Sequence, residues 1–252
     1  MLKARVIPTL LWKDTTLVKG IGFDSWRRVG SMLPSIKVYN TRQVDELIVV
    51  DITATKDNRA PDSIYVSEYS SECFVPLTVG GGIKNIYDVK NLLNAGADKI
   101  SINSKAYDSP EIISDIAYKF GSQCVVVSVD ARLVDNDKYI CYSTSGTVST
   151  GIDVIDWVKE AADRGAGEIL LTSIERDGTM EGYDLELIRS VTKAVSIPVI
   201  ASGGAGNYEH MSQAIKIGGA SAVAAASIFH FTQQTPLEAK RYLREHGILT
   251  RL

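Results

Sequence analysis

Basic charge, thiols and long apolar runs are all scarce in this sequence, and each shortage removes a class of function. Lysine and arginine number 27 against 30 aspartates and glutamates, a formal charge of −3, so no basic surface points to nucleic acid and no polybasic segment to a membrane. No apolar run approaches the roughly 20 residues of a spanning helix. The start, MLKARVIPTLLWKD, reaches Lys13 and Asp14 too soon for a signal peptide, and the expectation is a cytoplasmic protein. Cys73, Cys124 and Cys141 have no paired spacing, which suits a reducing compartment and gives neither a zinc site nor a disulfide framework. Beside apolar runs, Cys73 and Cys124 read as packing residues rather than nucleophiles. The histidines are equally sparse. His210 and His246 fall on predicted surface helices and His230 lies in Phe229-His230-Phe231; without metal-ligand spacing all three read as structural. No metal or cofactor is implied.

What the chain does contain is a repeated pattern. Pro76 to Ser104, PLTVGGGIKNIYDVKNLLNAGADKISINS, reads as strand, glycine turn, helix and strand. Pro198 to Ser227 echoes it, with Gly203 and Gly204 standing 122 residues after Gly81 and Gly82. The same shift carries Glu46-Leu47-Ile48-Val49 onto Glu168-Ile169-Leu170-Leu171. Two segments at one offset indicate two fused halves of similar architecture.

Eight short runs rich in β-branched residues can be marked: Arg5–Leu11, Glu46–Ile52, Phe74–Val79, Lys99–Ile102, Cys124–Asp130, Glu168–Thr172, Val199–Ala201 and Ala222–Ala225. Most are followed by a turn and a helix-period segment. Helices are clearest at Asp153–Arg164, with Ile155, Trp157, Val158 and Ala161 on one face, at Leu185–Val195 and at Pro236–His246, where Pro236 suits a helix start and Gly247 a stop. Strands alternating with helices over 252 residues predict one α/β domain across 1–252, a (β/α)8 barrel of two similar half-barrels. A doubly wound open sheet is the runner-up, because counting runs does not prove closure. Two connections depart from the repeat. Lys13 to Arg28 is long and polar, and Ala131 to Gly151 contains Tyr139-Ile140-Cys141-Tyr142 and Asp135-Asn136-Asp137, which read as a small hairpin. Both follow strands and should rise on the active-site face.

The glycine turns are the strongest chemical signal. Gly80-Gly81-Gly82 and Gly203-Gly204 let backbone approach a ligand, and the helix behind each offers free N–H groups with partial positive charge. Asn103-Ser104 and Ala226-Ser227 end the following strands and stand beside each turn. Glycine after a strand is often only a tight turn, but duplication in register predicts two phosphate sites on opposite sides of one mouth. Asp51, Asp130 and Asp177 each follow an apolar strand and suit acid–base work, although any of them could instead serve a helix cap or turn. With a shift of 119 the counterpart of Asp130 is Leu11, so a symmetric carboxylate pair lacks one member. At the opposite strand ends Arg5, Glu46, Lys99 and Glu168 alternate in charge. In a closed barrel they converge as a salt-bridged ring, either a stabilising plug or a gate to an axial passage lined by Thr78, Ser101 and Ser128.

With these residues in hand, the chain resembles over its whole length the cyclase subunit (HisF) of imidazole glycerol phosphate synthase. The matching stretches are VDELIVVDITA, PLTVGGGI, GADKISINS, RGAGEILLTSIERDGTMEGYD, VIASGGAG and AAASIFHF. The resemblance implies a barrel that takes ammonia from a glutaminase (HisH-like) partner docked at its bottom and uses it at the top on a phosphorylated ribulosyl carboxamide, by lyase and cyclisation chemistry. It implies one phosphate on Gly82, Asn103 and Ser104 and the other on Asp177, Gly178, Gly204, Ala226 and Ser227. It makes Lys19 a lysine of the mobile first loop, Asp130 a catalytic acid, Arg5, Glu46, Lys99 and Glu168 the ammonia gate, and Asp98 a contact to the glutaminase.

The departure is at the first strand. The family pattern there is close to CLDVKDGRVVKG, against TLLWKDTTLVKG from Thr9 to Gly20, and the family's catalytic aspartate falls on Leu11. Leucine neither takes nor gives a proton. VIPTLLWKD resembles a divergent branch found in surface-polysaccharide gene clusters. That branch works with its own glutaminase and a separate sugar amidotransferase, and is implicated in supplying ammonia for amidino groups on N-acetylated sugars. Histidine biosynthesis is the alternative expectation, and a scaffold that only activates the glutaminase the third.

Overall fold

The computed structural model describes residues 3–134 and 138–252. Strand β1 (Arg5–Lys13) runs into an extension, β2 (Thr16–Ile21) and β3 (Asp24–Ser31), before helix α1 (Met32–Thr41) and β4 (Leu47–Asp51). Then come α2 (Ser63–Ser71), β5 (Leu77–Gly80), α3 (Ile86–Asn94), β6 (Lys99–Ile102), the short α4 (Ser104–Asp108) and α5 (Glu111–Phe120). The second half holds β7 (Val125–Val134), β8 (Lys138–Ser143), β9 (Val148–Asp153), α6 (Val154–Asp163), β10 (Glu168–Ser173) and α7 (Leu185–Ala194). It ends with β11 (Val199–Ser202), α8 (Tyr208–Lys216), β12 (Ala222–Ala225), α9 (Ser227–Phe231) and α10 (Pro236–Glu245).

Eight strands are parallel neighbours in the order β10-β11-β12-β1-β4-β5-β6-β7, and a final ladder between β7 and β10, from Glu168 opposite Val126 to Ser173 opposite Ala131, closes the ring. That ladder makes the fold a (β/α)8 barrel and excludes the open sheet. The halves repeat in detail. Asn85 and Asn207 cap α3 and α8 with φ/ψ of −157°/173° and −154°/174°. Asn103 and Ala226 precede α4 and α9 with φ/ψ of −129°/−91° and −128°/−67°.

Closure sorts the side chains, because successive residues of a strand face opposite sides of the wall. On β1, Val6, Leu10 and Trp12 pack outward beneath the helices. Ile7 joins Ile48, Val126, Leu170 and Ile200 in a small apolar layer inside the barrel. Above that layer the inward positions Thr9 and Leu11 line a cavity; below it Arg5 joins the charged ring. Outside, Trp12 meets Tyr65 and Tyr69 of α2 edge-on, with centroids 5.6 and 5.4 Å apart. The face expected for α6 is shifted by one position: Val154, Trp157, Val158 and Ala161 are buried, while Ile155 is half-buried. Pro236 opens α10, where Thr235 and Glu238 form a capping box.

Three expectations are corrected. The polar connection from Lys13 to Arg28 is an antiparallel hairpin, since β2 pairs with both β1 and β3. Its glycines and a register shift between Lys19 and Ile21 hide the two-residue alternation of a strand. Phe74 lies outside β5 and is 80% exposed. Asp130 does not end its strand, because β7 continues to Val134 and pairs with β8. That pairing is the hairpin expected around Tyr139–Tyr142; Asp135-Asn136-Asp137 lie outside the described residues. No helix among the described residues is long and apolar enough to cross a membrane.

Candidate active site

Where the barrel strands end, a cavity of about 440 Å³ opens. Every residue expected to bind phosphate or handle protons lies on its wall: Lys19, Asp51, Asp130, Asp177 and Gly178, with Gly82, Asn103 and Ser104 on one side and Gly204, Ala226 and Ser227 on the other. Leu11 shares that wall. Residues as far apart in sequence as Thr9 and Ser227 thus share one space because β1 is flanked by β12 and β4, and β7 by β6 and β10.

The two glycine turns have the same backbone form. Gly81 and Gly82 have φ of 102° and 73°, Gly203 and Gly204 of 90° and 107°, a region in which side chains are strained. Space excludes a side chain as firmly. A Cβ at Gly81 would sit 2.1 Å from the Asp51 carbonyl oxygen, and one at Gly204 2.1 Å from that of Gly182. The Gly82 N–H reaches only a distant Thr55 Oγ1 at 3.4 Å, so it can turn to an incoming anion. Ser104 accepts from the Thr144 N–H at 2.9 Å and donates to Asn103 Oδ1 at 3.2 Å. Asn103 turns its amide into the wall, donating to the Ser128 carbonyl at 3.0 Å and to Asp130 Oδ2 at 3.2 Å. Ser227 is the counterpart of Ser104, and its buried hydroxyl has no partner among the described residues, an unmet group that a ligand would satisfy.

The three aspartates differ in state. Asp51 is held by the fork of Arg59, Nη1 to Oδ2 at 2.6 Å and Nη2 to Oδ1 at 2.8 Å, and Oδ1 also accepts from Thr53 and Ala54 N–H at 3.1 Å. A carboxylate so committed anchors its loop. Asp177 accepts from Lys19 Nζ at 2.6 Å. Burial raises its pKa, and Lys19 offsets part of that rise. Lys19, expected on a mobile loop, is here a β2 residue only 2% exposed. Asp130 forms no ion pair among the described residues. Burial first, then the charge of Asp177, pushes its pKa to about 7, against a smaller lowering by Ser128. It is therefore the carboxyl that exchanges protons near neutrality.

At the other end the four expected charges close into a ring. Arg5 Nη1 donates to Glu46 Oε1 at 2.7 Å and Glu168 Oε1 at 2.8 Å; Lys99 Nζ donates to Glu46 Oε2 at 3.0 Å and Glu168 Oε2 at 3.1 Å. Burial alone would lower the Arg5 pKa, but the charges of Glu168 and Glu46 hold it above its ordinary value. Asp98 is exposed beside the ring, and its carboxylate accepts from the Leu77 N–H at 2.8 Å. Between ring and cavity stand the apolar layer and the buried hydroxyls of Thr78 and Ser101; Ser101 and Ser128 reach the cavity wall.

Sequence reasoning missed Arg59, eight positions after Asp51 with no pattern to mark it, and Phe23 and Ser145, which line the cavity from the two hairpins. The histidines stay away from the cavity wall. His230 accepts or donates to Tyr39 Oη at 3.2 Å, and burial pushes its pKa down to about 4. Cys73 and Cys124 are half-buried, with thiol pKa values raised first by burial, as packing residues would be. Among the described residues no group of His, Cys, Asp and Glu is arranged to hold a metal ion.

Residues 5–235 match the family described as histidine biosynthesis protein. Over 251 residues, covering 100% of both chains, the sequence is 46% identical to the imidazole glycerol phosphate synthase subunit HisF of Streptococcus mutans serotype c.

Proposed function

From the premise that this chain belongs to the histidine biosynthesis protein family and is a HisF-like cyclase subunit, we propose that it takes ammonia through its charged ring from a glutaminase partner. The ammonia is used at a ligand held by two phosphate cradles. The observation that carries this is the pairing of opposite ends: a closed ring of two cations and two anions at one mouth of the barrel, and two matching glycine turns around a protonatable Asp130 at the other.

The residues divide the work. Gly82 and Ser104, and Gly204 and Ser227, offer backbone N–H and hydroxyl donors to the two ends of a bisphosphorylated ligand. Lys19 neutralises Asp177 so that an anion can lie beside it. Asp130 exchanges protons, with Asn103 fixing its orientation. Asp51, locked by Arg59, anchors the loop of Thr53 and Ala54 that packs against Gly82. Arg5 and Lys99 hold Glu46 and Glu168 together, and parting them opens the path upward. The partner docks on the ring face, with Asp98 as one contact.

Leu11 favours a role in which ammonia goes to amidino-sugar formation for surface polysaccharide, handed on to a separate sugar amidotransferase. An acid–base partner typically contributes about 10²–10⁴-fold in rate, and leucine contributes none of it. The full-length 46% identity to a HisF subunit favours the second reading, cyclase action in histidine biosynthesis. Deleting the gene separates them. The first reading expects growth without histidine and loss of amidino groups from the polysaccharide; a histidine requirement supports the second. The ammonia route fails if a co-expressed glutaminase neither binds this chain nor changes its turnover.

A further inference from the structure

Behind the charged ring lies a buried ion pair that neither the ring nor the cavity uses. Lys240 of α10 places Nζ 3.4 Å from Asp45 Oδ1, and the two side chains are 4% and 2% exposed. We propose that Asp45 and Lys240 are positioning residues for ammonia transfer: Asp45 fixes the backbone from which Arg5 and Glu46 reach each other, and Lys240 supplies the counter-charge that lets a carboxylate sit there. This rests on the reading of the ring as the ammonia gate.

Asp45 directly precedes Glu46, and Val6 directly follows Arg5. Asp45 Oδ2 accepts from the Val6 N–H at 2.9 Å, whereas the backbone bond beside it, from the Asp45 N–H to the Val6 carbonyl, is stretched to 3.4 Å. The side chain therefore holds the junction of β1 with the start of β4, next to the 2.7 Å contact of Arg5 with Glu46. On the other side of Arg5, the Ala4 N–H donates to the Leu249 carbonyl at 2.7 Å, and Thr250 Oγ1 donates to the Lys240 carbonyl at 3.0 Å. Helix α10 and the segment after it thus grip β1 on both sides of Arg5.

The other strand starts of the ring show why this one needs a pair. Gly167, before Glu168, matches Asp45 in the internal repeat. Its N–H donates to the Val125 carbonyl at 2.9 Å, and a Cβ there would lie 2.1 Å from the Ser122 carbonyl oxygen. A short backbone bond suffices beside Glu168, and no side chain fits. Asp98, before Lys99, accepts from the Leu77 N–H as Asp45 does from Val6, at 2.8 Å, but it is exposed and water balances its charge. Asp45 is buried, where an unpaired carboxylate is costly, and Lys240 reaches it across 195 positions. With Val6 released, Arg5 drifts from Glu46 and Glu168, and ammonia escapes to solvent at the ring instead of passing upward.

Charge-neutral double variants, assayed in the complex with the glutaminase, test the proposal without stranding a buried charge. Asp45→Asn with Lys240→Met keeps an oxygen for the Val6 N–H; Asp45→Ala with Lys240→Met removes it. The ratio of glutamine-dependent to ammonia-dependent turnover should fall about tenfold in the alanine variant, the weight of one buried hydrogen bond, and less than about twofold in the asparagine variant. Ammonia-dependent turnover itself should stay within about twofold in both, because the cavity is untouched. Asp45→Leu with Lys240→Met refills the space and should give the same fall as alanine, so that a cavity or poor folding in the alanine variant is not what is read. Equal ratios in the asparagine and leucine variants overturn the proposal, and so does a parallel loss of both activities, the mark of a pair that only stabilises. Lys99→Met is the control: if it too leaves the ratio unchanged, the ring is no gate, and this inference falls with that reading.

Discussion

Replacing Leu11 by aspartate puts a carboxyl on the cavity wall at the position that mirrors Asp130. Leu11 faces inward from β1 between Val18 of β2 and Val50 of β4 and is half-buried. Losing its apolar surface costs about 1–2 kcal/mol, part of the value for a fully buried leucine, and placing a polar group there costs about 1–3 kcal/mol more. A total of about 2–4 kcal/mol lowers the Tm by roughly 5–15 °C in a chain of this size. The same desolvation would raise the pKa of the new carboxyl, as burial raises that of Asp130, leaving it protonatable near neutrality. Steady-state turnover of the ribulosyl carboxamide intermediate with saturating ammonia should then rise by about 10²-fold, the lower end of the range for an acid–base group. Leu11→Asn makes a similar change in size and polarity but titrates no proton, so it should lose stability without gaining rate. Natural-protein turnover equal to that of an ordinary HisF subunit refutes the reasoning, as does an equal gain from the asparagine variant.

Lys99→Met leaves Glu46 and Glu168 facing one another with Arg5 alone between them; a stability loss of about 1–3 kcal/mol is expected, discounted from the value for a fully buried pair because the ring is partly exposed. In the complex, glutamine-dependent activity should fall more than ammonia-dependent activity, and equal losses would exclude a gate. Asp130 binds its proton more tightly folded than unfolded, so its contribution to stability is full below pH 4 and is lost as pH rises toward 7. Asp130→Asn should abolish up to about 4 kcal/mol of that decline, measured by denaturant titration across the window. Lys19→Met strands the buried Asp177 carboxylate, which should cost about 3–5 kcal/mol near neutrality and be partly rescued by Asp177→Asn; no rescue would show that the pair is not the cause.

Periodic and repeated features were legible in the chain itself. All eight barrel strands were marked to within about four residues at either end, and the three clearest helices to within about one, because alternation, helix period and caps are local properties that a segment carries wherever it lies. Duplication added what no single segment could: matching glycine turns, and the absence of an acid at Leu11. The hairpin from Thr16 to Ser31 escaped because glycine and a bulge break the alternation that marks a strand.

What only the tertiary structure decided is how charges are paired. Composition and periodicity do not tell the charge states of Asp51, Asp130 and Asp177 apart, three acids that each follow an apolar run. Closure brings Lys19 to Asp177 across 158 positions, turns Arg59 back onto Asp51, and leaves Asp130 buried and without an ion pair among the described residues. Their proton affinities diverge for that reason. Desolvation and Coulomb interactions act over a few ångströms of space, and distance along the chain carries no information about those ångströms until β7 and β10 meet.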